Sequence, residues 1–411
     1  MERLTRLPGT ELVVVSEGWR VPGLSAAGRL AFDPATSEVV VVEFVDEAAD
    51  FTEAELRVAG VVADFISRRS EIARSLEPTL IGAVNDDGRL LDGWSAPLGS
   101  IRGEVWWPGG KLVVPKPAPP VGPQNDADST FVARLRLAQS RWRSEVLGVP
   151  AGLGPQRAAG RELGSMLTPT DAAMGRNFLT RSAWEVAQAR IESGPGVEPF
   201  RCRANLLSSQ PMSFNLFGPL VGHLGVARQL LCPLLPGDVE EVTSIRIEYA
   251  PSPAEEYLDD LTSFDVFIEY VDGDGERAFV GVETKLTEPF SPKAYDSDRY
   301  RELTDAPGSP WVSSKSALAD PAWNQLWRDH LLVEATRTHR DVPHGRRGSL
   351  AVVHHPDDPS IGSAIAGYRR FLRYPEAVLV WPLDRLLATM RSEAEDFRVA
   401  DWLDRFAARY L

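Results

Sequence analysis

Cysteine, lysine and long apolar runs are all scarce in this chain of 411 residues. Two cysteines, Cys202 and Cys232, cannot build a disulfide framework or a cysteine-based zinc site. No apolar run approaches the roughly 20 residues that a spanning helix needs. The first residues, MERLTRLPGTELVVV, lack the apolar core of a signal peptide. A soluble cytoplasmic protein without a membrane partner is expected. There is no internal repeat and no long low-complexity tract. With 43% hydrophobic and 25% charged residues, a wholly disordered or fibrous chain is excluded. Only five of the 44 basic residues are lysine (Lys111, Lys116, Lys285, Lys293 and Lys315), so a lysine inside a strand stands out.

The length calls for more than one core. The clearest break is KPAPPVGPQNDADS at 116–129, rich in proline and small polar residues, and residues 116–130 read as a linker. Before it, residues 1–115 read as a small α+β domain. Strand-type runs at 12–15 and 38–45 precede a helical pattern at about 53–75, with short strands near 79–84 and 103–107. After it, residues 131–411 form a second domain with a helical beginning. Helices are expected over 131–148, 168–193 and 209–230. Strands follow over 242–249, 263–270 and 277–286, then a helix at 323–340, a strand at 349–355, a helix near 360–373, a strand at 377–381 and helices to the end. The order from residue 209 is that of a mixed α/β layer with an antiparallel hairpin near one side, turning at DGDG, 272–275.

That hairpin carries the chemistry. Asp265 lies in SFDVFIEY, and Glu283 and Lys285 lie in the partner strand GVETK. Side chains alternate along a strand, so Glu283 and Lys285 share a face, and pairing across the turn brings Asp265 near them. The apolar run AFVGV before Glu283 argues that this face is not solvated. Two carboxylates beside one ammonium suit a divalent cation with oxygen ligands, Mg²⁺ above all. Such an ion would activate a water for attack on a phosphodiester. A lysine can shift its pKa there, as an arginine cannot. The tripeptide Glu-Thr-Lys alone is better read as an ordinary same-face salt bridge, and it is the acid in the preceding hairpin strand, Asp265, that changes the balance.

Asp265…Glu283-Thr284-Lys285 resembles the signature of the PD-(D/E)XK nuclease superfamily, whose restriction-endonuclease-like αβββαβ core matches the element order above. The stretches NLLSSQPMSFNLFGPL (205–220), IEYAP (247–251), SFDVF (263–267), VGVETKLTEP (280–289) and QLWRDHLL (325–332) resemble, more specifically, a family of bacterial restriction-endonuclease-like proteins. The similarity runs over about 131–411. It implies that Asp265 and Glu283 are metal ligands with the Thr284 carbonyl as a third, that Lys285 orients or activates the attacking water, and that Glu248 supports this metal or a second one. Mg²⁺, replaceable by Mn²⁺, would be the cofactor. Nucleic acid, DNA more than RNA, would be the substrate, with a role in restriction or anti-phage defence. Phe264 stands where the signature has proline.

Weaker candidates surround this centre. Gln325 and Arg328, three apart on one helical face, either contact a phosphate or hold the lysine, or else belong to an ordinary helix surface. Ser208, Ser209, Gln210 and Asn215 open a helix, as caps or as a phosphate site. His354, His355, Asp357 and Asp358 are read as a turn, Arg346 and Arg347 as a solvated loop or backbone contact, and Phe214, Leu216 and Phe217 as core. Most tryptophans are read as core rather than stacking platforms. Residues 1–115 would regulate the enzyme or bind a partner, and a homodimer is compatible with the sequence. Two alternatives stay open: a catalytically silent module that binds nucleic acid or protein, and a nuclease activated only by a partner of the N-terminal domain.

The net charge of −14 is unevenly spread. Residues 1–110 hold 10 basic and 18 acidic residues, and 132–203 hold 11 and 6. Thirteen acids and one arginine crowd into 238–276, the approach to the proposed centre. Uniform attraction to nucleic acid is excluded, while basic flanks remain available.

Overall fold

A computed structural model describes residues 119–411, apart from 156–159, 292, 294, 314 and the side chain of Lys315, and only backbone strands within residues 1–118. The chain divides into two compact units, Met1–Pro119 and Pro120–Leu411. In the first unit a six-stranded sheet runs in chain order, with Gly28–Asp33 and Glu38–Glu43 as its longest antiparallel pair. A separate hairpin joins Ile101–Trp107 to Gly110–Pro115. The helix expected at 53–75 lies outside the described residues.

The second unit opens with α1, Thr130–Arg141, capped by the Ser129 side chain and prolonged by a π-helical turn, Trp142–Leu147. The Arg143 guanidinium is fully buried and, among the described residues, forms no ion pair with a carboxylate. It donates instead to the carbonyls of Pro120 (2.7 Å), Val121 (2.9 Å), Gly164 (2.7 Å) and Val149. The helix expected over 168–193 is two. Pro169–Ala173 ends at Gly175, whose φ of +73° breaks the helical path, and α2, Arg181–Glu192, begins after the Thr180 cap. Likewise 209–230 divides into α3, Ser209–Val221, and α4, Leu224–Leu231, parted at Gly222 and His223 shortly after Pro219, which cannot donate to the helical ladder.

The centre is a five-stranded sheet: β1 (Val239–Tyr249), β2 (Phe264–Asp272), β3 (Arg277–Lys285), β4 (Arg347–His354) and β5 (Val378–Pro382), side by side in that order. The first three run antiparallel and β3, β4 and β5 run parallel. A parallel step needs a crossover. It is made by α5, Asn324–Arg337, between β3 and β4, and by α6, Pro359–Arg369, between β4 and β5. With α3 in front, this is the αβββαβ order read from the sequence. Helices α7, Leu383–Ser392, and α8, Phe397–Tyr410, close the chain.

Both sheet faces are covered, which is why β3 reads as an almost unbroken apolar run. On one face Val266, Ile268, Val280, Val282 and Val353 pack with Phe214, Leu216 and Phe217 of α3 and with Phe406 of α8. On the other, Phe267, Phe279 and Val352 pack with Trp327 and Leu331 of α5 and Tyr368 of α6. Glycine at 281 is required there, because a Cβ would lie 2.3 Å from the Phe264 ring. Phe264 therefore lies flat on the strand that carries Glu283, and its substitution for proline leaves Asp265 in the strand.

Candidate active site

Antiparallel pairing of β2 and β3 registers Val266 opposite Val282. One step beyond that pair stand Asp265 and Glu283, where the two strands leave the hydrophobic layer. Asp265 Oδ2 accepts two hydrogen bonds from Thr284, from its main-chain N–H (2.7 Å) and its hydroxyl (2.8 Å). Thr284 points to the α3 side, where its Oγ1 is 2.7 Å from Ser213 Oγ. Glu283 and Lys285 share the α5 side. Lys285 Nζ lies 2.8 Å from Glu283 Oε1, and both are nearly buried.

Gln325, in the first turn of α5, joins that pair. Its Nε2 donates to Glu283 Oε1 (2.6 Å), and its Oε1 accepts from Lys285 Nζ (3.2 Å) and from the Ser291 N–H (2.7 Å). Of the two roles expected for Gln325, the structure shows the hold on lysine. The adjacent Asn324 accepts from the Tyr295 N–H (2.9 Å) and donates to the Tyr295 carbonyl (3.0 Å). Two neighbouring amides thus anchor the loop that follows β3 at Ser291 and at Tyr295.

A third carboxylate, Glu248, comes from the end of β1. Its φ of +54° is costly for a side chain with a Cβ, about 1–2 kcal/mol. Arg190 of α2 secures that backbone by donating to the Glu248 carbonyl from Nε (3.1 Å) and from a terminal nitrogen (2.9 Å). Gln210 donates to Glu248 Oε1 (2.6 Å). Ser208 caps α3, and the free N–H of Ser209 is taken by Glu288 Oε1 (3.0 Å), a carboxylate placed favourably at a helix N-terminus. Asn215 lies deeper, accepting from the Leu179 N–H and donating to the Tyr410 hydroxyl.

Asp265, Glu283 and Lys285 open into a cavity of about 460 Å³ lined also by Glu288, Gln325 and Asp329 and, as its arginines, by Arg201 and Arg328; Glu248 is not part of that lining. Burial pushes the Asp265 carboxyl well above the usual carboxylate range, and the neighbouring Glu283 and Glu248 push it further. Burial raises Glu248 to about 7 despite the Gln210 hydrogen bond. Burial opposes the charge on Lys285, but Glu283, Asp265 and Asp329 outweigh it, so the ammonium is held above its ordinary value. The site is a surplus of carboxylates around one lysine, and that surplus is what a divalent cation relieves. The donor set fits a hard ion with oxygen ligands. Among the described residues no hydrogen bond occupies Asp265 Oδ1 or Glu283 Oε2, so each carboxylate keeps an oxygen for an ion.

Asp329 has no place in the signature and joins the site only in the fold. It stands one turn after Gln325 on α5, buried, with an Oδ2 that has no hydrogen-bond partner among the described residues. Burial, then Glu283, raises its pKa well above normal. The spacing of four in Gln325-Leu-Trp-Arg-Asp329 was the available signal. Glu288 and Arg190 were missed because loop and helix partners far apart in sequence give none.

Other candidates lie elsewhere. Arg347 pairs with Asp272 and with Asp274 (3.1 Å) at the far end of the hairpin. Asp358 caps α6, and His355 Nδ1 accepts from the Asp357 N–H, as a turn requires. Glu256, His339 and Asp341 are the trio among the described residues whose ligand atoms lie within 4.8 Å of one another. Both ring nitrogens of His339 are already engaged there, with Glu256 (2.8 Å) and the Asp341 N–H (3.2 Å), and the trio does not line the cavity.

Compared with known families, residues 126–411 match the model of the PD-(D/E)XK nuclease superfamily. The chain belongs to that superfamily. No curated protein and no solved structure matches it. Asp265, Glu283 and Lys285, on the strand pair β2 and β3, lie inside the matched region. No helix among the described residues is long and apolar enough to cross a membrane.

Proposed function

We propose that the protein is a metal-dependent nuclease that hydrolyses phosphodiester bonds of nucleic acid, DNA in preference to RNA, at the cavity between β3 and α5. The observation that carries this reading is the convergence of Asp265, Glu283 and Lys285 on that cavity, with Gln325 bridging the acid and the ammonium.

Asp265 and Glu283 would hold the ion, with the Thr284 carbonyl beside them. When bound, a divalent ion of the Mg²⁺ class lowers the pKa of water and stabilises charge on phosphoryl oxygens. Thr284 keeps Asp265 Oδ2 in place and turns the opposite oxygen toward the cavity. Glu248, tied to Gln210, acts on the centre through its charge. Lys285, held protonated by its acidic neighbours, orients the attacking water and faces the charge that develops on phosphate. It does not serve as the proton acceptor while those carboxylates are ionised. Arg201 and Arg328 offer the cationic contacts that a phosphate chain needs at the mouth of an acidic site. A place in restriction or anti-phage defence, in the cytoplasm, with residues 1–115 as a regulatory or partner-binding unit, accords with this reading.

The test is cleavage of single-stranded, duplex and supercoiled DNA and of RNA by the full chain with Mg²⁺ or Mn²⁺, beside Glu283→Ala and Lys285→Ala. Wild type should cut and each variant should lose at least about 100-fold, the scale of one general acid–base or charge-stabilising group. Equal inertness of wild type and Lys285→Ala on every substrate and metal would sink the catalytic reading. Calorimetric metal titration of wild type and Asp265→Asn separates a silent nuclease fold, which would show no Asp265-dependent site.

A further inference from the structure

Part of the cavity lining has a different chemistry. Tyr295 lines it and is 41% exposed, although its main chain is fixed on both sides by the fully buried Asn324. One face of its ring is backed by the Arg328 guanidinium, 4.5 Å from the ring centre. Arg328 is half-buried, its Nε lies without a hydrogen-bond partner among the described residues, and burial opposes its charge while Asp329 and Asp260 support it. Leu261, 95% exposed, lines the same cavity from a loop in which Asp260 takes the Thr262 N–H (2.8 Å) and the Tyr300 hydroxyl. A polar, acid-lined cavity therefore has an exposed aromatic ring on an anchored main chain and a bare leucine in its lining. Nothing in phosphate hydrolysis needs them.

An exposed aromatic ring with a cation behind it is the chemistry of a base-stacking contact, worth about 1–3 kcal/mol per base and tolerant of sequence. A stack on such a ring needs a free π-face. Bases inside a duplex have both faces covered, so only an unpaired or extruded base can supply one. A cavity of about 460 Å³ is also on the scale of one enclosed small ligand.

We propose that Tyr295, backed by Arg328, stacks one unpaired nucleobase of the substrate strand next to the scissile phosphate, with Leu261 at the edge of the same site, so that the cavity takes single-stranded or locally unpaired nucleic acid. This rests on the nuclease reading for its substrate, and it adds what that reading leaves open, the strandedness of the target and a specificity residue.

The test reads binding apart from cleavage. Affinity of the full chain for a labelled single-stranded DNA oligonucleotide, and for the fully paired duplex of the same sequence, is measured by fluorescence anisotropy with Ca²⁺ present and the probe confirmed intact. Tyr295→Ala and Tyr295→Leu should each weaken single-strand binding about 5- to 100-fold, from the stacking range converted at 1.4 kcal/mol per decade. Tyr295→Phe should stay within about two-fold of wild type, and the weak duplex binding should not change. An abasic position walked along the oligonucleotide should erase the difference between wild type and Tyr295→Leu at one site. Single-strand affinity of Tyr295→Leu equal to wild type would overturn the proposal, as would an equal loss on the duplex. Unchanged circular dichroism and melting of the variants show that an exposed side chain, and not the fold, was removed. Tyr295-dependent binding without cleavage under any metal would overturn the nuclease reading and leave the platform standing. Cleavage that ignores Tyr295 would do the reverse.

Discussion

Glu248→Gln should make the metal-free protein more stable and the enzyme worse. In the folded state burial raises the Glu248 carboxyl from 4.5 to about 7. Between those values the native protein holds more protons than the unfolded chain, so stability falls as pH rises through that window. A carboxyl displaced over that range costs the fold about 3 kcal/mol once the pH exceeds 7, at about 1.4 kcal/mol for each tenfold change in proton affinity. Glutamine has the same shape, keeps an oxygen for the Gln210 amide, and carries no charge to desolvate. At pH 8 in EDTA the variant should therefore melt about 5–10 °C above wild type, at about 2–4 °C per kcal/mol for a domain somewhat smaller than this one. At pH 4 the two should melt together. Mg²⁺ should raise the melting temperature of wild type more than that of the variant, since ligands stabilise the state that binds them. Scanning calorimetry at the two pH values, with and without Mg²⁺, makes the comparison. Equal stability at pH 8, or a gain of the same size at pH 4, would refute the view of Glu248 as a carboxylate held in place at the expense of the fold.

Arg190→Met should leave KM nearly unchanged and lower kcat about 10- to 100-fold, because the Glu248 backbone loses both hydrogen bonds that hold its positive φ and a small displacement at a reacting centre has effects of that order; steady-state kinetics on any cleavable substrate reads the split. Gly281→Val should destabilise by about 1–3 kcal/mol in urea, since its Cβ meets the Phe264 ring, and Phe264→Ala in the same chain should restore part of the loss. His330, completely buried and held neutral, has its pKa lowered by burial to about 3. The unfolded chain binds that proton first, so stability should fall as pH drops from about 6.5 toward 3, at up to about 1.4 kcal/mol for each step of one in pH. Urea midpoints of His330→Gln should show a shallower acid slope than wild type; an identical slope would mean that His330 is not the group responsible.

The hairpin of the candidate site was legible because its information is local. Strand alternation, a DGDG turn and an apolar run place Glu283 and Lys285 on one face and Asp265 beside them without any knowledge of the rest of the chain. The order of the central elements was legible for the same reason. What escaped has long-range causes. Helical periodicity over 168–193 and 209–230 concealed breaks that arise at Gly175, with its positive φ, and at Gly222 and His223 after Pro219. Nothing in IEYAP announces that Glu248 adopts a left-handed backbone, because the arginine that compensates it is 58 residues upstream. Tyr295 sits in a loop without periodicity, and its fixed position depends on an amide from α5. Tryptophan was the natural residue type in which to expect a stacking surface, but among the described residues those side chains are largely spent on cores, while the exposed ring at the cavity is a tyrosine.

The Arg143 guanidinium has a mechanical meaning. It grips the main-chain oxygens of Pro120 and Val121 on one side and those of Val149 and Gly164 on the other. These bonds fasten the chain at residues 120 and 121 to the α1 region. Carbonyl oxygens do not titrate, so acid does not loosen the anchor, and its burial keeps salt from screening it. A cut at residue 126, where the family match begins, would strip away two of the four oxygens and strand a desolvated cation. A cut at residue 120 would leave the knot tied, and it is the fragment to choose when the nuclease unit is to be handled by itself.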